Sequence, residues 1–442
     1  MDRILNKIMN TKLARLLLGA LALLALSVLN PQMSTLHAQG SLTPPGAPTA
    51  TMKTLAQIEP RTPISSLPFT ISLPGSYYVT TNLTGVANQT GITIAANNVT
   101  LDLGGFVLQG VANSVDGIDV QGSANIVVRN GTLSGWSYQG LNNSVNTPGL
   151  VVEQVLSSGN GISGFNFQTT SGFVVRDCIC QNNNYDGIYA NNNNISCGGT
   201  IAGCTLIANR NGGLQCFGCL VKNCQVISNG VTGIDATGSQ LSGCLVDTCG
   251  TNSAGGGIFA GNCDIRDCVI QYGAGYGIYC RDVCQISECR VSMNAGIGID
   301  TADGSTVRNC QVAGSGNYGI EAYGSTVSGC SIRYCYYSGI YVNSPGCLII
   351  GNHCFEDNNS SSSSYNAGIF VDDDDNRVED NQVYDSGYAG IVVNSSYYSG
   401  NVVVKNTVTG NGANNYVGTT NNDFGPIGTA ATATSPWANI SH

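Results

Sequence analysis

From residue 91 onward, apolar residues recur in short alternating runs separated by Gly, Asn and Ser, and the runs keep a common register. A Gly followed by Ile, Leu or Phe opens one such run at Gly91, Gly117, Gly140, Gly164, Gly187, Gly213, Gly233, Gly257, Gly277, Gly298, Gly319, Gly339, Gly368 and Gly390, at intervals of 20 to 29 residues. A second run, V-x-x-C-x-V, lies inside many of the periods: VRDCIC at 175–180, VKNCQV at 221–226, VRNCQV at 307–312 and VSGCSI at 327–332. Two short alternating strands per period, joined by turn-forming residues, describe a solenoid. Helical repeats are disfavoured by the Gly, Asn and β-branched content, and the Leu-x-x-Leu-x-Leu frame of leucine-rich repeats is missing. The pattern predicts an all-β parallel β-helix of about fourteen coils, each burying its apolar face against the next. At about 4.8 Å per rung, fourteen coils reach roughly 65–70 Å.

The same register sorts the side chains. Alternation turns the Ile of each Gly-Ile inward and the next residue outward, so the third position forms a stripe. It reads Asp119, Tyr189, Gln215, Asp235, Phe259, Tyr279, Asp300, Glu321, Tyr341 and Phe370. Asp300 and Glu321 fall on adjacent rungs, and two carboxyls about 5 Å apart fit retaining glycosidase chemistry, one holding a proton beside the other. They are the candidate catalytic pair. Tyr189, Phe259, Tyr279, Tyr341 and Phe370 are the candidate carbohydrate-binding rings. The competing reading is an exposed strand face, where rings follow β-propensity and acids keep the surface soluble.

Cysteine follows the register too. Cys178, Cys204, Cys224, Cys244, Cys268, Cys289, Cys310 and Cys330 occupy one place in successive coils, and Asn352, Asn381 and Asn406 continue it. This is read as an inward column of thiols acting as small hydrophobes, with some local disulfides as the alternative. Cys216-x-x-Cys219 and Cys280-x-x-x-Cys284 lie three rungs apart, about 14 Å, too far to share one tetrahedral zinc. No metal site is assigned to them.

Composition narrows the chemistry. Only 10% of the 442 residues are charged, against roughly 25% in an average domain. Arg3, Lys7, Lys12 and Arg15 precede an apolar run from Leu16 to Leu29, which reads as a signal peptide over residues 1–38, cleaved after Ala38. An uncleaved anchor is the alternative. Cleavage removes four bases and Asp2, taking the net charge from −10 to −13. The expected product is secreted or extracytoplasmic, at the cell surface or in the periplasm, with no membrane span in the mature chain. Its acidity disfavours nucleic acid as a partner. Of three histidines, His37 leaves with the signal and His442 is the last residue, so His353 stands alone in the body. That excludes Ser-His-Asp, Cys-His and His-based metal chemistry.

A second stripe one or two residues before the column carries Arg129, Arg176, Lys222, Arg266, Arg308 and Lys405. It is read as surface pairing, with acidic-sugar binding or a lyase base as alternatives. Asp372-Asp373-Asp374-Asp375-Asn376 with Glu379 and Asp380 makes calcium the one cofactor the acidic residues allow, against a solvated acidic turn.

Residues 39–67, rich in Pro, Thr and Ser, read as a linker. Residues 68–412 read as the β-helix, with 68–90 as an N-terminal cap covering unpaired backbone, and 413–442 as a C-terminal tail or cap. Asn358 to Tyr365 form a Ser-rich loop expected to bulge outward.

The stretch PFTISLPGSYYVTTNLTG at 68–85, followed by GITIAANNVTLDLGGFVLQG at 91–110, resembles the opening of bacterial secreted β-helix proteins of the pectate-lyase-like superfamily. KTLAQIEPRTPI at 53–64 and NNDFGPIGTAATATSPWANI at 421–440 are similar to the flanking segments of an uncharacterised subgroup. The resemblance implies a right-handed single-stranded helix, and a fold that hosts lyases, hydrolases, epimerases and adhesins alike. The Gly-His-Gly of polygalacturonase-like hydrolases and the Asp-Pro-His-Asp of alginate epimerases are missing, and no pectate-lyase-like set of calcium-binding acids with a nearby Arg matches, so no catalytic residue carries over. Three readings remain: a non-catalytic carbohydrate-binding or surface-associated protein, a polysaccharide lyase or glycoside hydrolase working through the acidic-aromatic stripe, and a structural or adhesive rod.

Overall fold

Most coils are built from three short parallel strands. In one coil these are Val174–Arg176, Ile179–Gln181 and Ile188–Ala190, and the next coil repeats them as Thr200–Ala202, Thr205–Ile207 and Gly212–Phe217. Each strand pairs in parallel with its counterpart one coil on, for example Val175 with Ile201, Cys180 with Leu206 and Ile188 with Leu214. We call the strands opened by Gly-Ile the first face, those ending at the basic stripe the second, and those after the cysteine column the third. In two coils Ile126–Ser134 and Val151–Ser158 run as single strands through the second and third faces. The computed structural model describes residues 60–121, 124–143, 145–168, 172–191, 196–250, 255–357 and 367–441. The signal peptide at 1–38, the linker up to residue 59 and the Ser-rich loop lie outside the described residues.

The expectation of two strands per period needs correction. The V-x-x-C-x-V run is two strands, because the residue before the cysteine turns left-handed: φ is 54° at Asp177, 52° at Asn223, 53° at Asp267 and 52° at Asn309. Asp and Asn tolerate this region better than other side chains, and Gly203, Gly243 and Gly329 fill the same place with φ of 62–63°. The corner breaks the strand without breaking the inward alternation. Val175, Ile201, Val221 and Leu241 of the second face and Cys180, Leu206, Val226 and Val246 of the third are all buried, as are Ile188, Leu214, Ile234 and Ile258 of the first. Each fully buried Val, Ile or Leu contributes roughly 1.5–3 kcal/mol.

Polar columns hold the corners in register. The cysteine column runs up the bend between the second and third faces, with thiols of successive coils as close neighbours. Each Sγ also reaches main-chain carbonyls; that of Cys224 lies 3.4 Å from Lys222 O and 3.7 Å from Ile201 O. Asn352, Asn381 and Asn406 take over in the same place: Asn352 Oδ1 accepts the Cys330 N–H at 2.9 Å, and Asn352 Nδ2 donates to Asn381 Oδ1 at 3.0 Å. All nineteen cysteines are buried free thiols, and burial pushes those of Cys180, Cys335 and Cys354 well up. A second ladder, Asn160, Asn183, Asn209 and Asn229, climbs the turn from the third face to the first, with amide-to-amide bonds of 2.9–3.0 Å. Asp357 occupies that place farther along, where its Oδ1 accepts the Cys335 N–H at 3.0 Å.

The first face carries sixteen strands, one beyond the Gly-Ile series at each end. Phe69–Ile71 pairs with Ile92–Ile94 within the segment read as a cap, and Asn414–Val417 pairs with Ala389–Val393 within the segment read as a tail. Thr62–Ile64, at the end of the stretch read as a linker, pairs with Tyr77–Val79. No helix among the described residues is long and apolar enough to cross a membrane.

Candidate functional site

The first face positions the stripe by strand register alone. Phe259, Tyr279, Asp300, Glu321, Tyr341 and Phe370 are successive partners across adjacent strands. Tyr189 lies on the same face but apart from them, with Gln215 and Asp235 on the rungs between it and Phe259. Asp235 is engaged by Arg281, which reaches back across the intervening rung.

Asp300 and Glu321 stand side by side, as their spacing implied, but they are not the exposed acids expected. Each is only 7% exposed, because rings crowd around them. Burial, with Glu321 adding its charge, raises the Asp300 carboxyl to about 7. Near neutral pH Asp300 therefore holds its proton about half the time, which makes it a donor as well as an acceptor. Glu321 is fixed from one side: the Tyr323 hydroxyl donates to its Oε1 at 2.8 Å and Asn343 Nδ2 donates to the same oxygen at 3.1 Å. Asn343 also donates to the Tyr323 oxygen at 2.9 Å, closing a three-membered network. Burial and this bond push the Tyr323 hydroxyl up to about 12.

Two groups of rings flank the acids. On one side Tyr279 meets Phe259 edge-on at 5.4 Å and Tyr276 at 5.0 Å. On the other, Tyr341 stacks on Tyr318 at 4.3 Å and 18°, and Tyr318 contacts Tyr337 at 5.7 Å. The Tyr341 hydroxyl donates to Asp372 Oδ2 at 2.8 Å; burial and then that bond raise its pKa. Phe370 departs from the expectation of an outward ring. It is 1% exposed and packs with Ala367, Ala389 and Val392, so it lies covered beside Tyr341, 5.8 Å between ring centres, and offers almost no surface to a ligand.

Tyr276, Tyr318, Tyr323 and Asn343 belong to the site although the third-position stripe omits them. Tyr323 and Asn343 are the next outward positions after Glu321 and Tyr341, one step of the same alternation. Tyr276 and Tyr318 immediately precede Gly277 and Gly319, a recurring aromatic-Gly-Ile signal that was legible in the chain.

The other candidates separate. In the basic stripe, Arg129 pairs with Asp102, Arg176 with Glu153, Arg266 with Asp264 and Lys405 with Glu379. The acidic run does not converge on one point. Asp372 accepts from Tyr341 and Asn394, Asp374 accepts the Ser399 N–H, and Glu379 is held by Arg377 and Lys405. Among the described residues no group of three or more His, Cys, Asp or Glu side chains is arranged to hold a metal ion. Cys216 and Cys219 lie beside each other inside the core, as do Cys280 and Cys284.

No curated protein sequence matches the chain. Among solved structures it is similar to the Dettilon tailspike protein gp208, at 14% identity over 79% of this chain and 63% of that one, with a TM-score of 0.34. It is also similar to pectate lyase Pel9A, at 16% identity over 62% and 74% with a TM-score of 0.36. The A-module of the Azotobacter vinelandii mannuronan C-5 epimerase AlgE4 gives 14% over 86% and 90% with a TM-score of 0.27. The family of right handed beta helix regions matches residues 77–218, 216–326 and 282–425. With those matches spanning most of its length, and with parallel strands paired coil after coil, the chain belongs to the right-handed β-helix family.

Proposed function

We propose that this is an exported glycan-binding β-helix whose first face, from Phe259 to Tyr341, receives a sugar chain. The observation that carries the reading is the frame of tyrosines around the adjacent, buried carboxyls of Asp300 and Glu321. Rings offer apolar faces to the C–H surfaces of a pyranose, and Asp300 beside Glu321 supplies a donor and an acceptor for its hydroxyls. Both carboxyls rise from the same side of one sheet, so they meet a ligand from below and do not bracket a bond from opposite sides. This favours holding a glycan over cleaving it.

A second reading, hydrolysis with Asp300 as the acid, draws on the same carboxyl raised to about 7, within the range a general acid needs. One experiment separates the two. The protein is assayed on a glycan array, and each bound polysaccharide is then incubated with it and assayed for new reducing ends and unsaturated products. Binding without product, weakened in Glu321→Gln, supports the proposal. Product that disappears in Asp300→Asn supports hydrolysis, and neither binding nor product removes both.

A further inference from the structure

The third face carries a second array of chemistry that the first-face site does not use. Over five coils its outward positions are Arg290 and Ser292, Gln311 and Ala313, Ser331 and Arg333, His353 and Phe355, then Gln382 and Tyr384, all in unbroken parallel register. The chain's basic residues are scarce, 17 against 27 acids, and seven basic side chains are already tied in ion pairs among the described residues. Arg290 and Arg333 are not among them, and both are exposed.

The two arginines flank a groove of about 210 Å³ whose floor is small, Ser292, Ala313 and Ser331, with Gln311 between them. Their strands are two rungs apart, about 10 Å. Small side chains at the floor leave both guanidinium groups free to turn toward a common occupant. Arg333 also lies over the Tyr334 ring, 5.8 Å from its centre. Along the axis beyond Arg333 the surface turns aromatic: Phe355 stacks with Tyr384 at 4.7 Å and meets Tyr334 tilted at 5.4 Å, and His353 contacts Tyr384 at 5.0 Å. Glu356 lies close enough to the Tyr334 hydroxyl to raise its pKa, second to desolvation, with Arg333 opposing it.

We propose that this face is a separate binding track for a carboxylate-bearing oligosaccharide, with Arg290 and Arg333 pairing its uronate groups and Phe355 and Tyr384 carrying adjacent sugar rings. A guanidinium binds a carboxylate through two parallel N–H donors, and on an acidic protein a patch with two unpaired arginines selects for negative charge. Cations and rings in line with the sheet axis match a chain that alternates charge with flat C–H faces, lying along the coils and not across them.

The test uses the full chain, with a galacturonate hexamer and its fully methyl-esterified form as probes in isothermal titration. The proposal expects the hexamer to bind wild type and to lose at least about tenfold affinity in Arg290→Gln/Arg333→Gln, the order of one lost charge-assisted pair. The ester should bind weakly to both proteins. Phe355→Ala should weaken both probes, and Asp300→Asn on the first face should leave hexamer affinity unchanged. Circular dichroism confirms that each variant is folded. The proposal is overturned if the double arginine variant binds the hexamer like wild type, if ester and acid bind wild type equally, or if wild type binds neither probe. Loss of hexamer binding in Asp300→Asn alone would assign the acidic glycan to the first face and overturn it too. Failure of the first-face reading is seen independently, as unchanged binding of array glycans in Glu321→Gln.

Discussion

Replacing Asp357 by Asn should stabilise the protein, and only above the acid range. Asp357 is fully buried at a ladder position occupied elsewhere by amides, and burial raises its carboxyl from 3.8 to about 7. Its Oδ1 accepts the Cys335 N–H, but Oδ2 has no hydrogen-bond partner. At the equivalent positions Asn209 and Asn229 use Nδ2 to donate to Cys180 O and Leu206 O, at 3.0 and 2.9 Å. An ionised Asp has no such donor; a protonated Asp or an Asn does. The folded carboxyl holds its proton more tightly than the unfolded one, so the favourable contribution is complete below 3.8 and is lost as pH rises through about 7. The difference corresponds to at most about 4 kcal/mol, reduced in practice by local relaxation. Guanidinium denaturation at about pH 4 and about pH 8, followed by circular dichroism, reads the effect as a shift of midpoint. Asp116 and Asp186, both raised by burial to about 6, are common to both proteins and cancel in the comparison. Asp357→Asn should match wild type at the lower pH and exceed it by roughly 1–4 kcal/mol at the higher. A variant no more stable at the higher pH, or equally stabilised at both, would refute the ladder argument.

Other outcomes follow from the same geometry. Asn381→Ala removes an amide that accepts from Asn352 and donates to Ile349 O and Asn406 Oδ1; stranding these groups should cost about 2–5 kcal/mol in denaturant unfolding. Glycan affinity on the first face should change as pH crosses about 7, where Asp300 loses its proton, and Asp300→Asn should flatten that profile in titration calorimetry. Tyr279→Ala should weaken the same ligand roughly 2- to 13-fold, from the 0.5–1.5 kcal/mol of a ring contact. Thiol titration in denaturant should count close to nineteen reactive cysteines, and fewer than about five would remove the thiol column as a buried apolar device.

The coil repeat and the inward columns were legible because a solenoid repeats one environment: Ile188, Ile234 and Ile278 announce the same buried place by recurring at one offset from glycine. Even the change from Cys330 to Asn352 could be followed along the chain. The corner at Asp177 was harder to read, because a left-handed residue inside V-x-x-C-x-V leaves the hydrophobic alternation intact and so hides the break between two strands. At the site, register placed Asp300 next to Glu321 but said nothing of what lies above them. Exposure depends on neighbours outside the strand, so the burial of both acids by tyrosines and the covering of Phe370 had no signature in the stripe. Tyr323 and Asn343 were within reach of the alternation, yet only their bonds to Glu321 distinguish them from ordinary outward residues. The third-face track escaped for a related reason: Arg290 and Arg333 occupy different positions within their strands and form no periodic stripe.

The claim that the first face receives a sugar chain meets its most direct test in calorimetric titration of the best array glycan into wild type and into Tyr279→Ala/Glu321→Gln. The account predicts saturable binding to wild type and at least a tenfold loss in the variant, the sum of one ring contact and one charged hydrogen bond, while the fold survives by circular dichroism. Equal affinity for the two proteins, or a wild type that binds no glycan on the array, would contradict it.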